Sequence, residues 1–122
     1  MLVSMDIDVL FAGVPVGNLD AAVSWYQRLF GRAPDIVPND DEVMWHVANA
    51  GWVYVVRDIN RAGRGLVTLA VRDLDAFVAE AADRGALGDP IHLVGDAGRK
   101  ASYVDPDGNQ ISFIEVFAAA DS

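Results

Sequence analysis

The stretch YVDPDGNQISFIEV, Tyr103 to Val116, admits two readings. Asp105, Asp107 and Asn109 stand two apart with Glu115 beyond them, a spacing that suggests a cation loop. A helix–loop–helix calcium site needs glycine at its sixth position and a bidentate glutamate at its twelfth. Counted from Asp105, those places hold Gln110 and Val116, and the flanks have the character of strands. The turn reading fits every residue instead. Asp105 bonds back to the backbone, Pro106 pre-sets φ, Asp107 tolerates the third place, and Gly108 takes the left-handed conformation that reverses the chain. The stretch is a β-hairpin whose second strand runs from about Asn109 to Val116.

Outward from this hairpin, the chain repeats itself. VGNLDAAVSWY from Val16 and VRDLDAFVAEA from Val71 share Val, any residue, Asn or Asp, Leu, Asp, Ala, any residue, Val. Asn18 and Asp73 are placed as helix N-caps. Leu19, Ala22, Val23, Tyr26, Leu29 and Phe30 in the first helix, and Leu74, Phe77, Val78 and Ala81 in the second, follow the spacing of an amphipathic helix. Gly31 and Gly85 end them. An apolar strand precedes each helix, Ile7–Val16 and Gly65–Val71. Three strands follow each, at about Pro34–Pro38, Glu42–Ala48 and Trp52–Arg57, then Pro90–Val94, Arg99–Val104 and Asn109–Val116. The polar connector DINRAGRG, Asp58 to Gly65, joins the halves, so residues 1–122 read as one domain of two modules, 6–57 and 65–117. Neither half can bury both faces of its sheet alone, so the two should pair.

Composition narrows the function classes. A chain of 122 residues with 52% apolar content carries a real core. It has no run long enough to span a bilayer, and MLVSMDIDVLFAGV lacks the pattern of a leader. The absence of cysteine removes disulfides, thiolate nucleophiles and thiolate metal sites, and a cytoplasmic protein is the expectation. Eighteen acidic against nine basic residues, net charge −9, oppose binding to nucleic acid. The same charge suits a cationic or neutral small ligand, although acids spread along the whole chain read first as a solvated surface that serves solubility. No nucleophile elbow, phosphate loop or dinucleotide fingerprint is present.

VGNLDAAVSWYQRLFG and YVDPDGNQISFIEV resemble motifs of the vicinal oxygen chelate superfamily, which includes glyoxalase I, bleomycin resistance proteins, fosfomycin resistance enzymes and extradiol dioxygenases. The resemblance covers nearly the whole chain. It implies an α+β fold of two βαβββ modules forming a curled mixed sheet around a cavity, and commonly a homodimer with the cavity at or near its interface. It also implies where metal-dependent relatives hold their ion: on the first and last strand of each module, at positions occupied here by Phe11, Leu66, Ser112, and Tyr54 or Val55. None of these grips a divalent cation, so neither a metal nor any other cofactor is expected.

Strand parity then gives the lining of a metal-free cavity. Phe11, Val9, Gly13, Leu66, Thr68 and Ala70 face inward, with Leu10, Val14, Val67 and Leu69 under the helices. Gln110, Ser112 and Ile114 share a face, as do Trp52 and Tyr54. Either Met44 and His46 or Trp45 and Val47 join them. The candidate ligand-binding set is Phe11, His46, Trp52, Tyr54, Leu66, Thr68, Gln110 and Ser112, an apolar and aromatic pocket with few polar points. Rings such as Trp45, Trp52 and Tyr54 in alternating strands are more often ordinary sheet core than ligand stackers, and Arg57, Arg61 and Arg64 read as solvated. Similarity to the bleomycin-resistance branch implies a protein that sequesters a cationic or aromatic antibiotic or metabolite. Two alternatives stay open. One is an enzyme (lyase, isomerase or dioxygenase) with a displaced metal site or none, in which His46 and His92 join Glu42 or Glu115 at a relocated site, or His46 or Glu115 serves as general base. The other is an accessory dimerisation module.

Overall fold

Each half of the chain folds in the order strand, helix, three strands. A computed structural model describes residues 5–117. The first half comprises β1 (Leu10–Val16), α1 (Leu19–Phe30), β2 (Ile36–Asn39), β3 (Glu42–Ala48) and β4 (Gly51–Arg57). The second comprises β5 (Leu66–Ala70), α2 (Leu74–Asp83), β6 (His92–Val94), β7 (Gly98–Val104) and β8 (Gln110–Val116). Residues 1–4 and 118–122, and with them part of the leader reading and of the single-domain limits 1–122, lie outside the described residues. Hydrogen bonding divides the strands into two mixed sheets, ordered β1-β4-β3-β2 and β5-β8-β7-β6, with no closed barrel. In each, the first strand runs parallel to the last and the other pairings are antiparallel. Among the described residues no helix is long and apolar enough to cross a membrane.

The helices begin where the caps demand. Asn18 accepts from Ala21 N–H at 3.1 Å and Asp73 from Ala76 N–H at 3.0 Å, each satisfying a donor that the first turn leaves orphaned. Gly31 closes α1 at φ 82°. At the end of α2 the cap is Arg84, with Gly85 following at φ 90°. Several strands are shorter than the apolar runs suggest, β1 and β6 most of all. β1 starts at Leu10, not Ile7, because its partner β4 begins at Gly51, opposite Leu10, and leaves nothing further to pair with. For the same reason Val9 belongs to no strand face, and Leu10 is 67% exposed instead of lying under α1. β6 begins at His92, since Pro90 has no N–H for a ladder.

One core joins both halves. Val14, Tyr26, Leu29, Trp45 and Val55 of the first half and Leu74, Tyr103, Ile111 and Phe113 of the second are buried in a single cluster. Tyr26, Phe30 and Trp45 form its aromatic centre, with ring centroids 5.4 to 6.0 Å apart. The Trp45 indole N–H finds Arg32 O at 3.0 Å.

The polar fastening between halves is the DPDG turn itself. Asp105 Oδ1 accepts the N–H groups of Asp107, Gly108 and Asn109. Its Oδ2 accepts from Asn109 Nδ2 and, across the module boundary, from Tyr26 O–H, both at 2.8 Å. Asn109 donates on to Pro15 O at 2.7 Å and accepts from Gly65 N–H at 2.6 Å. Gly108, at φ 105°, supplies the left-handed step. The carboxylate is thus filled by the protein's own donors, as the turn reading requires. The modules are joined again where Arg84 Nε donates to Arg28 O at 2.7 Å.

Candidate functional site

Alternation along the strands sends one set of side chains under the helices and the other to the outer face of each sheet. On β3 the buried residues are Val43 and Trp45, which places Met44 and His46 on the outer face and decides the register the sequence leaves open. Phe11 and Gly13 of β1 and Trp52, Tyr54 and Val56 of β4 share that face. Phe11 pairs with Trp52, and Trp52 with His46, in direct cross-strand register. Their rings form a ladder: Phe11 and Trp52 are stacked at 6.4 Å, His46 and Trp52 at 4.5 Å. His46 Nε2 lies 3.1 Å from Asn49 O. Since a carbonyl only accepts, the ring proton sits on Nε2.

The strand under His46 is held from outside the sheet. Arg32 donates to His46 O, and His46 N–H donates to Asp35, which is ion-paired with Arg32. The His46 amide, and after it the Arg32 guanidinium, holds the Asp35 carboxyl below the usual carboxylate range. Next along β4, Tyr54 lies across bare backbone. A Cβ on Gly13 would stand 2.5 Å from Tyr54 Cζ and 2.6 Å from its hydroxyl, so only glycine admits the ring there.

The outer face of the second sheet is polar. Leu66 pairs with Gln110 and Thr68 with Ser112, and β7 adds Ser102 opposite Ser112. Ser102 Oγ and Ser112 Oγ are 2.8 Å apart, and Gln110 Nε2 donates to both at 3.4 and 3.3 Å. Ser112 is buried beneath this network. Ser102 was legible by counting back from the turn, which puts it across from Ser112. A cavity of about 440 Å³ opens here, lined by Asp89, His92, Lys100, Ser102, Val104 and Gln110 among others. A second, of about 360 Å³, lies beside the first sheet, where Gly13, Tyr54 and Val56 meet Arg61, Arg64 and Gly65 of the connector. Both are of ligand size.

The candidate residues therefore fall into two groups of four. Phe11, His46, Trp52 and Tyr54 share the first sheet's outer face, and Leu66, Thr68, Gln110 and Ser112 the second's. Among the described residues no ring contact or side-chain hydrogen bond joins one group to the other. Glu115 belongs to neither. It faces α2, accepting from Leu74 N–H at 2.9 Å and pairing with Arg99 at 3.2 Å, which removes it from the relocated metal site and the general-base role considered for it.

The family model of the Glyoxalase/Bleomycin resistance protein/Dioxygenase superfamily matches residues 8–113. The chain belongs to this superfamily. A glyoxalase/bleomycin resistance protein from Catenulispora acidiphila DSM 44928 is 38% identical, with a TM-score of 0.84 over 89% of this chain and 98% of that one. TnmS3, an antibiotic binding protein from Streptomyces sp. CB03234, is 23% identical at TM-score 0.72, covering 96% and 99% of the two chains. A bleomycin-binding protein solved with bleomycin is 18% identical at TM-score 0.74, covering 90% and 99%. The last two likenesses show the fold alone. No curated protein is matched.

The positions at which the resemblance puts the ion of metal-dependent relatives hold poor donors in this chain. Phe11 and Leu66 are hydrocarbon, Ser112 is a buried hydroxyl already hydrogen-bonded, and of the remaining pair Val55 is buried under α1 while Tyr54 faces outward. Among the described residues no three of His, Asp and Glu gather into a group that could hold an ion. No step through a metal is derived.

Proposed function

We propose that this protein binds a planar aromatic small molecule, an antibiotic or metabolite, without a metal ion, and sequesters it. The ring ladder Phe11–Trp52–His46 carries the reading. Core aromatics bury themselves, but here Phe11 is 51% exposed on an open sheet face with its ring stacked in line with two others. Such a ladder offers ring edges and the uncovered ring faces, to which a planar ligand adds with little loss of side-chain freedom. The bleomycin-binding and antibiotic-binding proteins of the same fold support the choice of ligand class.

Binding on one exposed sheet face is weak, since most pockets bury the greater part of their ligand. We therefore read the protein as a cytoplasmic homodimer in which a second copy covers the outer faces. Leu66 at 74% exposure and Val104 at 61% are the apolar surface such a copy would bury. Titration with fused-ring aromatics, followed by tryptophan quenching and calorimetry, tests the reading. Saturable binding is expected, unchanged by EDTA or added divalent ions, and weakened about tenfold or more by Trp52→Ala. Full affinity in Trp52→Ala, or binding that requires an added metal, overturns it.

A further inference from the structure

The net charge of −9 points toward a cationic ligand, but the charges at the cavity beside the aromatic ladder have the other sign. That cavity, of about 360 Å³, is lined by Tyr54 on one side and by Arg61 and Arg64 of the connector on the other. The one acid in its lining, Asp58, is taken up by Arg61 at 3.7 Å. Arg64 makes no ion pair or side-chain hydrogen bond among the described residues, although the chain carries twice as many acids as bases. Charges beyond about 10 Å are screened at ordinary salt; of the nearer acids outside the lining, Asp105 is filled by hydrogen bonds and Asp107 lies on the turn beside Gly63, so Arg64 is the guanidinium a ligand in the cavity meets unpaired.

The connector that carries the arginines is pinned. Asp58 N–H donates to Val16 O at 3.0 Å, Gly63 N–H to Pro15 O at 3.4 Å, and Gly65 N–H to Asn109 Oδ1 at 2.6 Å. Gly63 sits at φ 85° so close to the DPDG turn that a Cβ there would lie 2.3 Å from Asp107 O. The backbone from Asp58 to Gly65 is thereby a fixed platform. Tyr54 is two residues from Trp52 on the same face of β4, about 7 Å along the strand. That is the span from a bicyclic ring to its carboxylate.

We infer that the connector cavity is an anion subsite, and that the ligand stacked on Trp52 carries a carboxylate received by Arg64, with Arg61, beside Tyr54. The inference rests on the aromatic-binding reading and adds the sign of the ligand's charge. A guanidinium fork suits a planar carboxylate.

The test uses three probes of one shape on the full chain by calorimetry: 2-naphthoate, 2-naphthamide and 2-naphthylmethylammonium. Naphthoate is expected to bind roughly tenfold more tightly than naphthamide, the scale of one partly exposed charge-assisted hydrogen bond, and the ammonium most weakly. In Arg64→Ala the ratio of naphthoate to naphthamide affinity collapses toward one, and Arg64→Lys restores part of it. Arg72→Ala, which removes an equal charge away from the cavity, keeps the ratio. Equal binding of naphthoate and naphthamide, a preference for the ammonium, or a ratio that survives in Arg64→Ala overturns the anion subsite while leaving the aromatic platform standing. Failure of all three probes to bind overturns both.

Discussion

Asp105 receives five hydrogen bonds from four residues while almost wholly buried. Removing it orphans the Tyr26 hydroxyl and the Asp107 and Asn109 amides at once, Gly108 N–H keeping Asp105 O, so Asp105→Ala is expected to lower stability by about 3 kcal/mol or more in denaturant unfolding. Tyr26→Phe removes one bond and costs about 1 kcal/mol. Burial, and then the Asp105 carboxylate, raises the Tyr26 phenol far above its ordinary range. A group whose folded-state affinity for its proton is raised gives its full stability below the unfolded pKa and loses it as pH climbs. The unfolded phenol ionises near about 10, so the melting temperature should fall from there upward, and less steeply in Tyr26→Phe. Tyr103 differs. Its hydroxyl is buried with no partner among the described residues, and burial again raises its pKa. Tyr103→Phe removes an unsatisfied polar group and should leave stability unchanged or raise the melting temperature by up to about 4 °C. A loss of several degrees would show that the hydroxyl has a partner.

At the scale of elements, the helices were legible and the strand ends were not. Asn18 and Asp73 cap by local chemistry that any reader of the sequence can place, and Asn18→Ala or Asp73→Ala should each cost about 1 kcal/mol. Strand length depends on the neighbour: β1 begins only at Leu10 because its parallel partner β4 begins opposite it at Gly51. Parity on β1, β4, β5 and β8 followed from alternation, whereas on β3 both faces carry large apolar groups, and the choice fell to Trp45 because the pocket under α1 takes an indole with a partner for its N–H. The Gly13–Tyr54 contact has no local signal, since it joins β1 to β4. Gly13→Ala should displace the Tyr54 ring, lower aromatic-ligand affinity several-fold, and move the melting temperature little, because that face is open.

At the scale of the molecule, the two outer faces determine assembly. Size-exclusion chromatography with light scattering should give twice the 13.1 kDa chain mass at micromolar concentration, and Leu66→Asp should shift the protein toward monomer. A monomeric wild type that still binds a planar ligand tightly would remove the need for a second copy. The sequence by itself determined the duplication, the caps and the hairpin, because each is a matter of residue type at a local spacing. Only the tertiary structure decided that the candidate residues divide between two sheet faces, that Glu115 turns toward α2, and that Arg61 and Arg64, exposed as expected, stand at the rim of a cavity with Tyr54. Those outcomes depend on which segments distant in sequence the core and the Asp105 node bring together, and no local spacing encodes that.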